Sequence, residues 1–260
     1  LDLDTLVLAD LVADEGRLIF RDGTSGGDPT LPGGKCATCH QNAGALNTPN
    51  NENRNFNTGI EDRPDSPTVI TAGIPRDGGF GVTANACGGN SLGDGRFNSV
   101  ALVEAADTTP LFHNDVANTI EEGVEHYNRA EFNNNPCNPR AITAQIHMSA
   151  TEVTAVATFL RVINADENAR SAVVFAETGL AITPLPRARR LLSLAIEEIG
   201  DGIKVLQDKS LHPDAITELR EARRLLIIAR NTAPKRLRDA LINRAIADLN
   251  SARNLMVFQS

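Results

Sequence analysis

Tryptophan is absent from the chain, tyrosine occurs once, methionine twice, and aromatic residues make up only 4% of it. A core built in the usual way on large aromatic side chains is therefore excluded, at least for a protein that supplies all of its own apolar bulk. No stretch approaches the roughly 18 consecutive apolar residues that a membrane helix needs, which predicts a water-soluble chain without a transmembrane segment. Positive charge is short as well. With 25 Lys+Arg against 33 Asp+Glu, the net charge of −8 counts against nucleic acid as a partner. Cysteine is sparse: Cys36 and Cys39 stand close together, and Cys87 and Cys137 lie alone in polar, Gly- and Asn-rich surroundings.

What is present falls into two parts. A length of 260 residues exceeds the usual single core and predicts two domains. Residues 1–184 hold 11 Lys+Arg and 24 Asp+Glu, a balance of −13, whereas residues 185–260 hold 14 and 9, a balance of +5. The boundary is placed at that change, with one domain over 1–184 and a second over 185–260. The chain starts at Leu1, with no basic and apolar leader ahead of the first helix, which predicts an exported, periplasmic or extracellular product after signal removal. In such a compartment Cys87 and Cys137 are expected to pair as a disulfide. The loop closed would be about fifty residues long, worth about 4 kcal/mol in the chain-entropy account.

Periodicity predicts a mainly α protein. A short amphipathic helix is expected over 11–20, where Leu11, Glu15 and Leu18–Ile19 share a helical spacing. From Gln41 to about Pro110 the chain is dominated by Gly, Asn, Asp, Pro and Thr with little period, so something other than side-chain packing must order it. Helical pattern returns at Thr119–Tyr127 and more clearly at Ser149–Ile163. There Ser149 and Glu152 have capping-box spacing, and Val153, Val156, Phe159, Leu160 and Ile163 fall on one face. After Pro184 and Pro186 three amphipathic helices follow, with Pro213 and Pro234 at tolerated first-turn positions. The run Ala-Arg-Arg-Leu-Leu recurs at 188–192 and 222–226, but the aromatic and glycine positions of a tetratricopeptide repeat are missing. A three-helix bundle is the simpler expectation.

Chemistry is concentrated in Cys36-Ala-Thr-Cys39-His40, the CxxCH signature of covalent haem attachment. Its spacing has a mechanical reason: two thiols reach two vinyl groups on one porphyrin edge while the next residue turns its imidazole beneath the iron. A thioredoxin-like CxxC would want a strand before it and a long helix after it, and half a zinc site would want a second Cys/His pair. Neither is present. The expectation is one covalent haem c with His40 as proximal ligand. A buried porphyrin would also order the loop-rich stretch and supply the apolar plate that the aromatic count lacks. On the far face of the iron the chemically suitable residues are Met148, Tyr127, His126, His147 and His113, and the choice decides redox potential and substrate access. Met148 directly precedes the Ser149 cap, where packing back on the helix is an equally good role. His212, before Pro213 at a helix start, is expected on the surface.

The segment Ala105-Ala-Asp-Thr-Thr-Pro-Leu-Phe-His-Asn114, then Thr119-Ile-Glu-Glu-Gly-Val-Glu-His-Tyr-Asn128 and the Phe159-Leu-Arg helix, resembles the C-terminal haem domain of bacterial di-haem cytochrome c peroxidases. It resembles equally that of the related di-haem maturation enzymes of methylamine utilisation. The resemblance covers roughly residues 11–165 and none of the C-terminal helices. It implies that the distal ligand comes from the Val-Glu-x-[Met/Tyr] position, here Tyr127, which makes Tyr127 the first choice and Met148 the second. A phenolate favours ferric or higher-valent iron and a low potential. The family's peroxidases use two haems, and this chain has one CxxCH, so their cycle is not carried over whole. The family's calcium site between haem domains is a weaker implication, for which the Asn- and Asp-rich loops offer oxygen ligands.

Two functions are therefore expected from the residues and the resemblance together. The first is single-electron transfer by a mono-haem cytochrome whose helical bundle docks on redox partner proteins or on a second copy, since oppositely charged segments suit head-to-tail association. The alternative is a peroxidase-like or oxidative maturation enzyme that uses a second haem from a partner chain.

Overall fold

Helix dominates the structure, a computed structural model that describes residues 2–23, 35–46, 51–71, 74, 78–80, 95–137, 145–182 and 184–258. Its α-helices are α1 (Leu11–Asp22), α2 (Pro67–Ile70), α3 (Ile120–Glu125), α4 (Ala130–Asn133), α5 (Ala150–Ala181), α6 (Leu185–Asp208), α7 (Pro213–Asn231) and α8 (Lys235–Met256). Among the described residues the strands are two residues long. β1 (Val7–Leu8) pairs antiparallel with β4 (Val257–Phe258), and β2 (Asn55–Phe56) with β3 (Phe97–Asn98). The protein is mainly α, and no helix among the described residues is long and apolar enough to cross a membrane.

Two compact units divide the chain, Leu1–Leu3 with Val12–Leu160 and Asp4–Leu11 with Arg161–Ser260. The division falls inside α5, whereas the composition changes after Pro184. Pro184 is the N-cap residue of α6 rather than part of a linker. The outer half of α5 belongs with the helices that follow it: a Cβ on Gly202 of α6 would stand 3.3 Å from Asn168 and 3.5 Å from the Ala165 carbonyl.

In the first unit, α1 crosses α5 at Gly16, where a Cβ would lie 2.0 Å from the Ala155 carbonyl oxygen. One turn on, Phe20 and Phe159 pack with ring centroids 5.3 Å apart. The inward face of α1 is Ala13, Gly16, Ile19 and Phe20, whereas Leu11 is 86% exposed and Glu15 points to solvent, which corrects the face read from the sequence. Backbone contact at a glycine, not the count of leucines, decides which side of this helix is buried. Arg17, buried beside that face, donates from Nη1 to the Leu3 carbonyl at 2.8 Å. At the start of α5 the capping box forms as expected: Ser149 N–H donates to Glu152 Oε2 at 2.7 Å and Glu152 N–H to Ser149 Oγ at 3.2 Å. The helix is then buried on nearly every side through Ala169, so its apolar stripe of Val153, Val156, Phe159, Leu160 and Ile163 is part of an all-round interior. The helix expected at Thr119–Tyr127 is present as α3, capped by Thr119 Oγ1 on Glu122 N–H at 3.1 Å, and tightens into a 3-10 turn at His126–Asn128.

In the second unit consecutive helices run antiparallel, as the pairing of Arg189 and Ser193 of α6 with Arg230 of α7 shows. The residues expected inside are inside: Leu192, Ala195, Ile199 and Leu206 of α6, Ile216, Leu219, Ala222 and Leu226 of α7, and Ile242, Ala245, Leu249, Ala252 and Met256 of α8. Only Ile203 is merely half-buried. The end of α5 adds a fourth helix, tied to α8 by Arg253 Nε on Asp166 Oδ1 at 2.8 Å and to α6 by Asn168 Nδ2 on Glu198 Oε2 at 3.2 Å.

Candidate functional site

The first unit encloses a cavity of about 710 Å³ whose wall includes Cys36, Cys39, His40 and Tyr127. Six of the nine phenylalanines, Phe20, Phe56, Phe80, Phe97, Phe112 and Phe132, join the single tyrosine around it. The scarce aromatic residues of this chain are thus gathered about one space. α5 contributes Val156 and Leu160, α3 contributes Ile120, Gly123 and Val124, and a carbon added at Gly123 would press on Leu111 at 2.7 Å.

Cys36 opens a 3-10 turn, Cys36–Thr38, closed by Cys39 N–H and His40 N–H on the Cys36 carbonyl at 3.1 and 3.0 Å. That turn sets both sulfurs and the imidazole on one wall. Both are free thiols. Burial pushes the Cys36 thiol up to about 12, helped by the Cys39 charge, and burial pushes Cys39 up to about 11. They are protonated and neutral at physiological pH, the opposite of the acidic thiol that a redox-active CxxC requires.

A strap sixty residues away fixes the histidine. His40 Nδ1 donates to the Val100 carbonyl at 2.8 Å, Ser99 Oγ to the Cys39 carbonyl at 2.9 Å, and Leu102 N–H to the Ala43 carbonyl at 2.7 Å. Burial lowers the His40 pKa, with the Val100 and Gly44 carbonyls opposing, so the ring is neutral at physiological pH. With the proton held on Nδ1, the lone pair stays on Nε2. This is the tautomer of a metal-ligating histidine, whose other ring N–H ordinarily goes to a carbonyl or carboxylate.

Tyr127 follows α3 in the 3-10 turn and faces the same cavity. Its phenol pKa is raised by burial and further by Cys39 and Cys36, so the phenol shares its surroundings with the two sulfurs. Met148 is 7% exposed and is not part of the wall. Its backbone is held by Asn128, which accepts from Met148 N–H at 2.7 Å and donates to its carbonyl at 2.9 Å. The structure thus brings Tyr127, but not Met148, to the motif. Among the histidines, His113 lines the cavity, stacked on Phe97 at 3.6 Å with Nε2 3.4 Å from Glu61 Oε1, while His147 is exposed. His126 is fully buried behind the wall, donating from Nε2 to the Thr58 carbonyl at 2.9 Å and meeting Phe112 and Tyr127 edge-on at 5.1 and 5.4 Å. Burial, together with the charges of Arg63 and Arg129, holds its pKa down to about 4. His212, expected on the surface, is half-buried at the start of α7.

Cys137 is disulfide-bonded. Cys87 lies outside the described residues. Among the described residues no three His, Cys, Asp or Glu side chains form a group that could hold a metal ion. The Val100 carbonyl and the Phe97–His113 stack had no sequence signal. The aromatic wall did have one, in that so few aromatics were available to be placed anywhere else.

The residues present fit a covalent haem. A space of about 710 Å³ falls in the range of cofactor pockets, about 300–1,000 Å³, and far exceeds a single ion. Its wall is mostly apolar, two neutral thiols stand on one side, and the adjacent imidazole presents an unprotonated Nε2. No protein-family model, curated protein or solved structure matches the chain.

Proposed function

We propose that the chain is an exported mono-haem c-type cytochrome that transfers single electrons. The observation that carries this reading is the placing of Cys36, Cys39 and a His40 of fixed tautomer on one wall of the aromatic-lined cavity. Cys36 and Cys39 would hold the porphyrin by thioether bonds, and His40 Nε2 would ligate the iron. The bound group would supply a reversible one-electron couple. The protein's own part is to exclude water with Phe56, Phe97, Phe112 and Phe132 and to keep the His40 proton on Nδ1, donated to the Val100 carbonyl. Tyr127 is the preferred distal ligand and Met148 the second choice. Tyr127 shares the cavity with the sulfurs, and its phenol would have to give up a proton that burial otherwise retains. Tyrosine in the wall favours a second reading, a peroxidase-like or oxidative maturation enzyme of the di-haem peroxidase type working with a partner's haem. The helical unit serves docking on redox partners or self-association.

Intact mass of the exported protein, with ferric and ferrous absorption and magnetic-resonance spectra of wild type, Tyr127→Phe and Met148→Leu, tests this. Mass equal to polypeptide plus one haem is expected, with coordination changed in Tyr127→Phe alone. A bare polypeptide mass overturns the cytochrome reading. Rapid turnover on mixing with peroxide replaces electron transfer by the enzymatic reading.

A further inference from the structure

The positive charge of the helical unit is gathered at one end. Arg187, Arg189 and Arg190 lie in the first two turns of α6, and Arg230 lies at the end of α7. Lys235, Arg236 and Arg238 begin α8. Arg189 Nε donates to the Arg230 carbonyl at 2.9 Å and Arg230 Nη1 to Ser193 Oγ at 3.1 Å, so these segments meet. Neither α6 nor α8 has an acidic residue in its first turn, and both helix N-termini add their partial positive charge to the side chains. Asp239, paired with Lys235 and Arg238, is the acid among these turns, with Glu177 of α5 nearby. The guanidinium groups of Arg187, Arg190 and Arg236 are exposed and make no hydrogen bond or ion pair among the described residues. Elsewhere in residues 185–260 seven bases meet eight acids, so the whole cationic excess of that segment belongs to this end.

The complementary surface lies in the first unit. α4 packs on the 3-10 turn Ile60–Asp62, where Gly59 approaches the Glu131 carbonyl. Asp65, Glu122 and Glu131 all act on the guanidinium of Arg63, which is itself buried and bound to Asp65. Asp62 and Glu125 are exposed beside them, and Arg129 is the other base there. With a net charge of −8, two copies repel on average, and like ends of the bundle repel each other outright. Attraction requires unlike patches to meet.

We propose that the cationic end of the α6–α8 bundle docks on the acidic surface around α3 and α4 of a second copy, a head-to-tail contact. This makes the docking role of the bundle specific and holds whether or not the chain carries haem. Such a heterologous contact leaves one free end of each kind and propagates unless its rotation closes a ring.

Sedimentation of the full-length protein tests it at about 0.01 M ionic strength, where the screening length is about 30 Å, and about 1 M, where it is about 3 Å. The expected result is a mass above monomer that grows with concentration in dilute salt and returns to monomer in concentrated salt. Two triple variants, R187E/R190E/R236E and D62K/E125K/E131K, are each expected to be monomeric, while an equal mixture of the two regains dimers, because one supplies the positive end and the other the negative face. Five of the six positions are exposed and Glu131 is half-buried, so circular dichroism accompanies each variant and identifies one that fails to fold. Wild type that stays monomeric in dilute salt overturns the proposal, as does a mixture of folded variants that does not associate. Monomeric wild type that sediments with phosphatidylglycerol vesicles through the same arginines assigns the end to lipid instead.

Discussion

Gly16→Ala is the sharpest test of how the first unit is built. The substitution adds one methyl group in the middle of α1. Helix propensity alone would reward it by about 0.8–1 kcal/mol. Against that, the new Cβ would stand 2.0 Å from the Ala155 carbonyl oxygen, 2.4 Å from its carbon and 2.9 Å from Val156 N. Ordinary carbon-to-oxygen contact begins at about 3.3 Å, so α1 would have to retreat by more than about 1 Å. The obstructing atoms are helical backbone and cannot rotate aside. Retreat would also open the Phe20–Phe159 pair, whose rings are 1% and 0% exposed with centroids 5.3 Å apart. Overpacking of this kind costs about 1–3 kcal/mol, sometimes more, and the backbone contact puts it at the upper end. After the propensity gain, a net loss of about 1–3 kcal/mol is expected. At about 2–4 °C per kcal/mol that is a clear fall in Tm. Denaturation followed by circular dichroism, with Glu15→Ala on the exposed face as the propensity control, reads it out. A Gly16→Ala protein as stable as wild type, or more so, would refute the close crossing of α1 and α5.

Two further substitutions address the supports of the site. Ser149→Ala removes the acceptor for Glu152 N–H and should cost about 1 kcal/mol in the urea midpoint; an unchanged midpoint would mean that the capping box contributes nothing. Asp65→Asn tests the Arg63–Asp65 fork, whose bonds are 2.8 and 2.5 Å. The hydrogen bonds from Arg63 hold the Asp65 carboxyl down from 3.8 to about 2, so its contribution is complete above about pH 4 and disappears as pH falls through about 2. Asp65 is half exposed, and screening limits the amount to about 1 kcal/mol or less. The variant should lose stability less steeply between those pH values in acid titrations of the fold, and an acid limb parallel to wild type would discard the assignment.

Helices were legible where an apolar period met a cap. The inward residues of α6, α7 and α8 follow their spacing almost residue for residue, and Ser149 with Glu152 marks the start of α5. The end of α5 was hidden because burial on all sides erases period: the expected pattern stops at Ile163, yet Asn164, Asp166 and Asn168 beyond it are buried and hydrogen-bonded to neighbours. The opposite error occurred in α1, where Leu11 suggested an inward face and a glycine contact decided otherwise. Within the site, the motif was legible by its spacing, whereas Tyr127 was one of several candidates by chemistry and was singled out only by what the family resemblance implies. His113 could be named but not placed, because its contacts with Phe97 and Glu61 join segments far apart in the chain.

The strap over the motif shows how described residues within a stretch without period are held in place. Residues 99–102 make two bonds with the motif, from Ser99 Oγ to the Cys39 carbonyl and from His40 Nδ1 to the Val100 carbonyl, and a third just beyond it, from Leu102 N–H to the Ala43 carbonyl, and all three acceptors are backbone. Such bonds depend on chain path rather than on residue type, which is why composition there reads only as loop. Their chemical effect is nonetheless specific. A carbonyl beside Nδ1 leaves the proton on that nitrogen and the lone pair on the other, whatever side chain Val100 carries. Replacing Val100 would therefore leave the imidazole tautomer in place, whereas displacing the strap as a whole would release it. The tautomer of His40 is a property of a backbone segment sixty residues away as much as of the histidine itself.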